Sequence, residues 1–227
     1  MMVGLILLLW MPTAPEASLN RPRKYALYKA HTILPDTLRF LVKRHGKHLF
    51  AGLEEGLRLP HHQVGEAMIL RETEKITGLV DRHASFALVV RQMGYVGGLV
   101  AVYTDPSSQE ESAVRRGFNY YLDAKLARFL FVFDGYPAAV GDNGWLDTEL
   151  KAVAERRMLF GKLLDRKYRE TGLNPYYPFS ERSAVFGVCS LYFSNLARLS
   201  ALLWYHAWSM AHGDLGQTPF RYQPLSP

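Results

Sequence analysis

Along most of the chain, apolar residues recur every three or four positions, the spacing that gathers them on one face of an α-helix. Tyr25 to Leu34 reads as a short helix that Pro35 ends. A second helix opens at Pro35 or Asp36 and runs through TLRFLVKRHGKHLFAGLEEGL. It carries Leu38, Leu41 and Val42 on one face, with a break or kink expected at Gly46. Pro60 suits the first turn of a third helix, predicted to reach Asp81. Ser85 to Thr104 follows, closed by the turn signal Asp105-Pro106-Ser107-Ser108. The spacing of Phe118, Tyr121, Leu122, Leu126, Phe129 and Leu130 predicts a helix over Glu110 to Phe133 with these side chains in the core. Asp134 to Trp145 is rich in Gly, Pro, Asp and Asn and reads as a loop. An amphipathic helix then spans Asp147 to Glu170, stopped near Gly172, and Asn174 to Pro178 forms a rigid connector. The last helix runs from Ser183 to about Ala211. Phe186, Cys189, Phe193, Leu196, Leu199 and Leu203 line one of its faces, and Gly213 suits its stop. The expected class is all-α, a multi-helix globular domain.

Within this pattern, RQMGYVGGLVAVYTDP (Arg91 to Pro106) stands out as the most apolar run beyond the N-terminus. On a helix, Gly94, Gly98 and Ala101 share one side, a smooth groove that lets a neighbouring backbone come close. Each glycine costs a helix about 1 kcal/mol against alanine, so packing must recover the loss. Tyr95 to Thr104 also satisfies a strand pattern, being rich in β-branched and aromatic residues. The helical flanks favour the helix. No ionisable side chain other than tyrosine stands between Gly94 and Thr104, so the run reads as core.

A length of 227 residues suits one domain with a sizeable core. Three segments are expected: 1–18 as a signal peptide or short apolar anchor, 19–215 as a single all-helical domain, and 216–227 as an extended tail. The apolar run VGLILLLWM (Val3 to Met11) is too short for a bilayer, which takes about 20 residues. It suits the apolar part of an export signal. The rival reading is an uncleaved, membrane-associating tip with Arg21, Arg23 and Lys24 near the headgroups. The expected location is exported or periplasmic, or peripheral at the membrane. A lone cysteine, Cys189, excludes an internal disulfide and reads as a buried, inert thiol. The net charge of +6 is thinly spread, and no aromatic-interleaved basic stripe marks a nucleic-acid binder. Lys43, Arg44, His45, Lys47 and His48 could grip phosphates or simply form a solvated helix face. P-loop, dinucleotide, G-x-S-x-G and H-E-x-x-H motifs are absent from the sequence.

Three stretches together resemble a known family: KYALYKAHTILPDTLRFLVKRHGKHLFAGLEEG, FALVVRQMGYVGGLVAVYTDP and YYPFSERSAVFGVCSLYFSNLARLSALLWYHAW. Their order and spacing are similar to the zinc-dependent phospholipase C family, whose helical fold is shared with the three-zinc single-strand nucleases. The likeness covers roughly residues 20 to 215. In that family the middle stretch reads like L-G-x-x-A-H-Y-x-x-D-x-x-x-P, and its His and Asp bind zinc. Laid without gaps from Met93-Gly94 to Pro106, these positions fall on Gly98 and Val102, neither of which can coordinate a metal. An earlier family histidine falls around Arg23, where a cation would oppose zinc. The family also ligates zinc through a mature N-terminal Trp, which has no counterpart at a plausible cleavage point here.

Other residues could rebuild a metal site. His62 and Glu66 stand at i, i+4 in the predicted third helix, a chelating spacing that a plain surface pair also satisfies. Their order relative to the Gly98 segment is the reverse of the family's. His206, His212 and Asp214 form a second conceivable cluster, although His206 also suits a satisfied core position. Phosphodiester hydrolysis of this kind needs metals to generate hydroxide and stabilise phosphoryl oxygens. The resemblance therefore implies a kept fold and lost metal chemistry, without a catalytic residue or cofactor. The chain would then be a binding or assembly subunit with protein partners, at a membrane complex. Trp145, Tyr176 and Tyr177 suit such an interface. The alternative is a metal-dependent phosphodiesterase or phospholipase using His62, Glu66, His206 and Asp214.

Overall fold

A computed structural model describes residues 20–137 and 143–219. The apolar segment 1–18 and the last tail residues, 220–227, lie outside it. The described residues are helical without strands. In order they form α1 (Arg21–Thr32), α2 (Asp36–Arg44), α3 (Gly46–Leu57), α4 (Glu66–Asp81) and α5 (Phe86–Thr104). These are followed by α6 (Ser112–Ala124), α7 (Asn143–Arg169) and α8 (Ala184–Met210). The all-α multi-helix class read from the periodicity is what the chain adopts.

Two apolar helices form the centre. α8 packs on α1, α4, α5, α6 and α7, and α5 packs on α3, α4 and α8. Each is long and apolar enough to cross a membrane by length and composition, but in this fold most of the apolar stretch of both helices is buried. They run antiparallel, tied by two buried hydrogen bonds. Trp204 Nε1 donates to the Met93 carbonyl (2.9 Å) and Tyr192 Oη to that of Ala101 (3.3 Å). Such bonds let aromatic side chains bury polar tips without leaving them unsatisfied. Ser183 caps α8, its Oγ accepting from the Phe186 amide.

The groove of Gly94 and Gly98 is filled by the matching pair Gly52 and Gly56 on α3. A Cβ at Gly94 would stand 1.9 Å from the Leu49 carbonyl oxygen, and one at Gly52 would stand 1.9 Å from that of Arg91. Gly56 and Gly98 meet in the same way, a Cβ on either lying 2.8 Å from the other's Cα. Only hydrogen fits between these backbones. The helical reading of Tyr95 to Thr104 therefore holds, and close packing offsets the poor propensity.

Several boundaries differ from the periodic reading. The chain from Asp36 to Leu57 divides at His45-Gly46, where a break or kink was expected. The helix expected from Pro60 begins only at Glu66, after a 3-10 turn over His61–Gln63 and an extended Val64 whose side chain enters the core. The helix expected to reach Phe133 stops at Ala124. Beyond a 3-10 turn at Leu126–Arg128 the chain extends along α8, where burial alternates instead of following a helical face. Phe129 is buried against Phe186 and Phe193, whereas Leu130, expected in the core, is 76% exposed. Ser194 Oγ holds this segment, donating to the Leu130 carbonyl and accepting from the Val132 amide. α7 starts four residues early, at Asn143. At the end of α8 the left-handed residue is His212 (φ 53°), while Gly213 makes room for the Trp208 ring, 2.2 Å from where its Cβ would lie. The tail turns at Gly216 and Gln217 before leaving the described residues.

The glycine contact yields a paired prediction. Gly94→Ala should lower stability by about 3 kcal/mol, the upper range for overpacking, because the clash is with backbone. Gly187→Ala, in α8 with open space around its Cβ, should raise stability by about 0.5–1 kcal/mol. Denaturant midpoints of the two variants check both signs.

Candidate functional site

The N-terminal end of α1, the α3–α4 connection, the C-terminal end of α5 and α6 enclose a cleft of about 380 Å³. Its chemistry begins with Arg23, which α1 carries into the interior at 8% exposure. A buried charge needs partners, and Arg23 Nη2 donates to Asp105 Oδ2 (3.1 Å) and Asn119 Oδ1 (3.0 Å). Tyr192 accepts a further hydrogen bond from Arg23. Burial opposes the guanidinium charge, but Tyr192 and Asp105 outweigh it and hold its pKa above the ordinary value.

Asp105 has two roles. In the turn after α5 its Oδ1 accepts from the Ser107 amide (2.8 Å) and Ser107 Oγ (2.7 Å), while Ser108 Oγ donates to its carbonyl (2.8 Å). The turn expected from Asp-Pro-Ser-Ser is thus closed by Asx-type bonds. The other oxygen of Asp105 takes Arg23, so both oxygens of the carboxylate are engaged by its own chain. Asn119 is likewise oriented, its Nδ2 donating to the Arg115 carbonyl (2.9 Å).

Across the cleft, His61 Nε2 lies 2.6 Å from Arg157 Nη1, which also donates to the Tyr103 carbonyl (2.8 Å). An arginine can only donate, so Nε2 is the acceptor and neutral His61 carries its proton on Nδ1. Burial first, and then Arg157, lower the pKa of His61. The Arg157 guanidinium also lies over the Tyr103 ring. Tyr103 Oη donates to Glu66 Oε1 (2.6 Å), and burial followed by Glu66 raises its pKa.

The proposed metal-ligating residues do not converge. His62 is exposed in the 3-10 turn and Glu66 begins α4, so the two do not stack on one helical face. His206 is buried in the C-terminal part of α8. Asp214 lies beyond α8, where the Gly216 amide (2.7 Å) and Thr37 hydroxyl (3.0 Å) bind its carboxylate and lower its pKa. His212 is exposed. Thr77 near the end of α4 donates to the Ala207 carbonyl beside His206. Glu66 lies eleven residues earlier, about 16 Å along the helix. Among the described residues no group of three or more His, Cys, Asp or Glu side chains is placed to hold a metal ion.

Of the positions aligned with zinc ligands, Arg23 and Val102 both line the cleft, whereas Gly98 faces α3. The cations expected near lipid headgroups have internal partners: Arg21 pairs with Asp123 (2.7 Å), Lys24 with Glu54 (2.7 Å) and Arg23 with Asp105. Lys43, Arg44 and Lys47 are exposed at the α2–α3 junction. Cys189 is fully buried, and burial pushes its thiol pKa well up. Sequence reasoning missed His61, Arg115, Asn119 and Arg157, none of which lies in a motif. For Asp105 the Asp-Pro-Ser-Ser signal identified the turn but not its buried partner.

Fold and site together describe an all-helical protein with a cationic cleft built on a buried ion pair. No protein-family model, curated protein or solved structure matches the chain.

Asp105→Ala should destabilise the protein by about 3–5 kcal/mol, because it leaves the buried Arg23 uncompensated. Arg23→Met should cost less, because Asp105 keeps its two hydrogen bonds from Ser107, and calorimetric melting of both variants compares them. A second expectation concerns pH. His31 and His61 both have lowered pKa values, each chiefly through burial. The unfolded chain therefore binds protons more readily, and stability is full above the free-histidine value of about 6.5 and declines below it. Melting temperature should fall between about pH 7.5 and pH 5.5, and His31→Gln with His61→Gln should flatten that slope.

Proposed function

We propose that this chain is a non-catalytic relative of the zinc-dependent phospholipase C family, acting as a binding or assembly subunit. One observation carries the reading. Among the described residues, the cleft lined by Arg23 and Val102 has a single carboxylate, Asp105, which already accepts hydrogen bonds from Arg23 and Ser107. Metal-assisted hydrolysis needs several convergent N or O ligands and an open position for water. A guanidinium ion pair supplies neither. The rearranged-ligand alternative loses ground, because Glu66 and His206 lie toward opposite ends of α4.

Support for assembly is of another kind. Leu130 and Val132, at 76% and 59% exposure, project from the extended segment after α6, and Tyr176 is 65% exposed. Exposed aliphatic and aromatic side chains suit a protein interface. The apolar run Val3 to Met11 favours export or a peripheral place at the membrane, where such a partner would be met.

Metal analysis tests the reading. Purified full-length protein incubated with zinc and then dialysed should retain far less than one zinc per chain and leave a chromogenic phosphodiester intact. Two or more tightly held zincs per chain, with hydrolysis, would overturn it.

A further inference from the structure

Among the described residues, the cleft lining carries more positive than negative charge. Arg115 and Arg23 line it, and Arg157 stands behind His61. Against these, Asp105 is the only lining carboxylate among the described residues, and it bonds Arg23 and the turn. The hydrogen-bond partners of Arg115 and Arg157 are neutral. Arg115 donates to the Glu110 carbonyl (3.3 Å), and Arg157 donates to His61 and the Tyr103 carbonyl. Among the described residues no carboxylate lies within ion-pair distance of either guanidinium, whereas Arg21, Arg169 and Arg198 each pair with an Asp or Glu side chain. Like charges gathered around a partly desolvated cleft repel one another, a cost that a bound anion removes.

The walls are not uniformly polar. Leu57, Leu59, Pro60, Ala101 and Val102 form an apolar side facing the donors. Asn20, Ser108 and Asn119 add neutral hydrogen-bonding groups. The volume of about 380 Å³ lies in the range of small-ligand sites. One anionic group beside a short apolar body matches this division.

We infer that the cleft binds a small amphipathic carboxylate, its anionic end at Arg115 and Asn119 over the buried Arg23, its hydrocarbon along Leu57, Leu59 and Val102. A carboxylate fits because the lining carries one uncompensated positive charge and guanidinium presents a planar pair of donors. This deepens the binding reading above, yet the two fail separately. Tightly bound zinc would end the non-catalytic reading without altering carboxylate binding, and a cleft that ignores carboxylates would leave metal content unchanged.

Isothermal titration of the full chain with hexanoate, its neutral amide and inorganic phosphate tests the inference. Hexanoate should bind at least about tenfold more tightly than hexanamide, the scale of one charge-assisted bond. Arg115→Gln, at an exposed position, should fold normally and weaken hexanoate by about tenfold. Arg116→Gln, exposed on the same helix but not lining the cleft, should bind like the wild type. Equal affinity for acid and amide, no saturation by hexanoate at millimolar concentration, or an Arg115→Gln variant that binds unchanged would each overturn the inference. Phosphate binding more tightly than hexanoate would overturn the assignment to a carboxylate with an apolar body.

Discussion

The backbone contact between α3 and α5 is the constraint on which the rest depends. Glycines at Gly52, Gly56, Gly94 and Gly98 let two helices meet with only hydrogens between them. That closeness adds dispersion contacts along both backbones and offsets the low helix propensity of glycine. It also sets the depth at which α5 sits. Because α5 is held tightly on its α3 side, its other faces are free to pack on α4 and α8. Its last turn then delivers Val102 and Asp105 to the cleft. A bulkier residue at any of these glycines would move the frame on which the cleft is built.

The cleft shows how a buried cation is accommodated. Arg23 lies inside because Asp105, Asn119 and Tyr192 from three later segments meet it there. Such a network is weak evidence for stability, since desolvation offsets most of the Coulombic gain, but breaking it is costly. On this basis Arg23 and Asp105 form a floor that fixes geometry. Any recognition falls to the less encumbered groups above them, Arg115 first.

Much of the helical plan was legible because helix period and turn chemistry are local. Leu38, Val42, Phe118, Leu122, Cys189 and Phe193 sit in the core where their spacing put them. The failures occurred where a run fits two periods. Phe129 to Phe133 alternates aromatic and aliphatic residues, and Ser194 on α8 decides for the extended form by bonding its backbone. Pro60 could have opened a helix, but core burial of Val64 delays it to Glu66. The site was less legible still. His61 meets Arg157 across 96 residues and Arg23 meets Asp105 across 82, distances at which no spacing rule applies.

The sequence by itself determined the helical class, the smooth glycine side of α5, the turn at Asp105 and the absence of coordinating side chains at Gly98 and Val102. Each follows from residue type and short-range period. Only the tertiary structure decided that Gly52 and Gly56 fill that groove, that Arg23 turns inward instead of toward solvent, and that Arg115 and His61 share a cleft with it. The physical reason is common to all three. Close packing and buried charge pairing are satisfied between segments distant in sequence, so their partners exist only once the helices have docked.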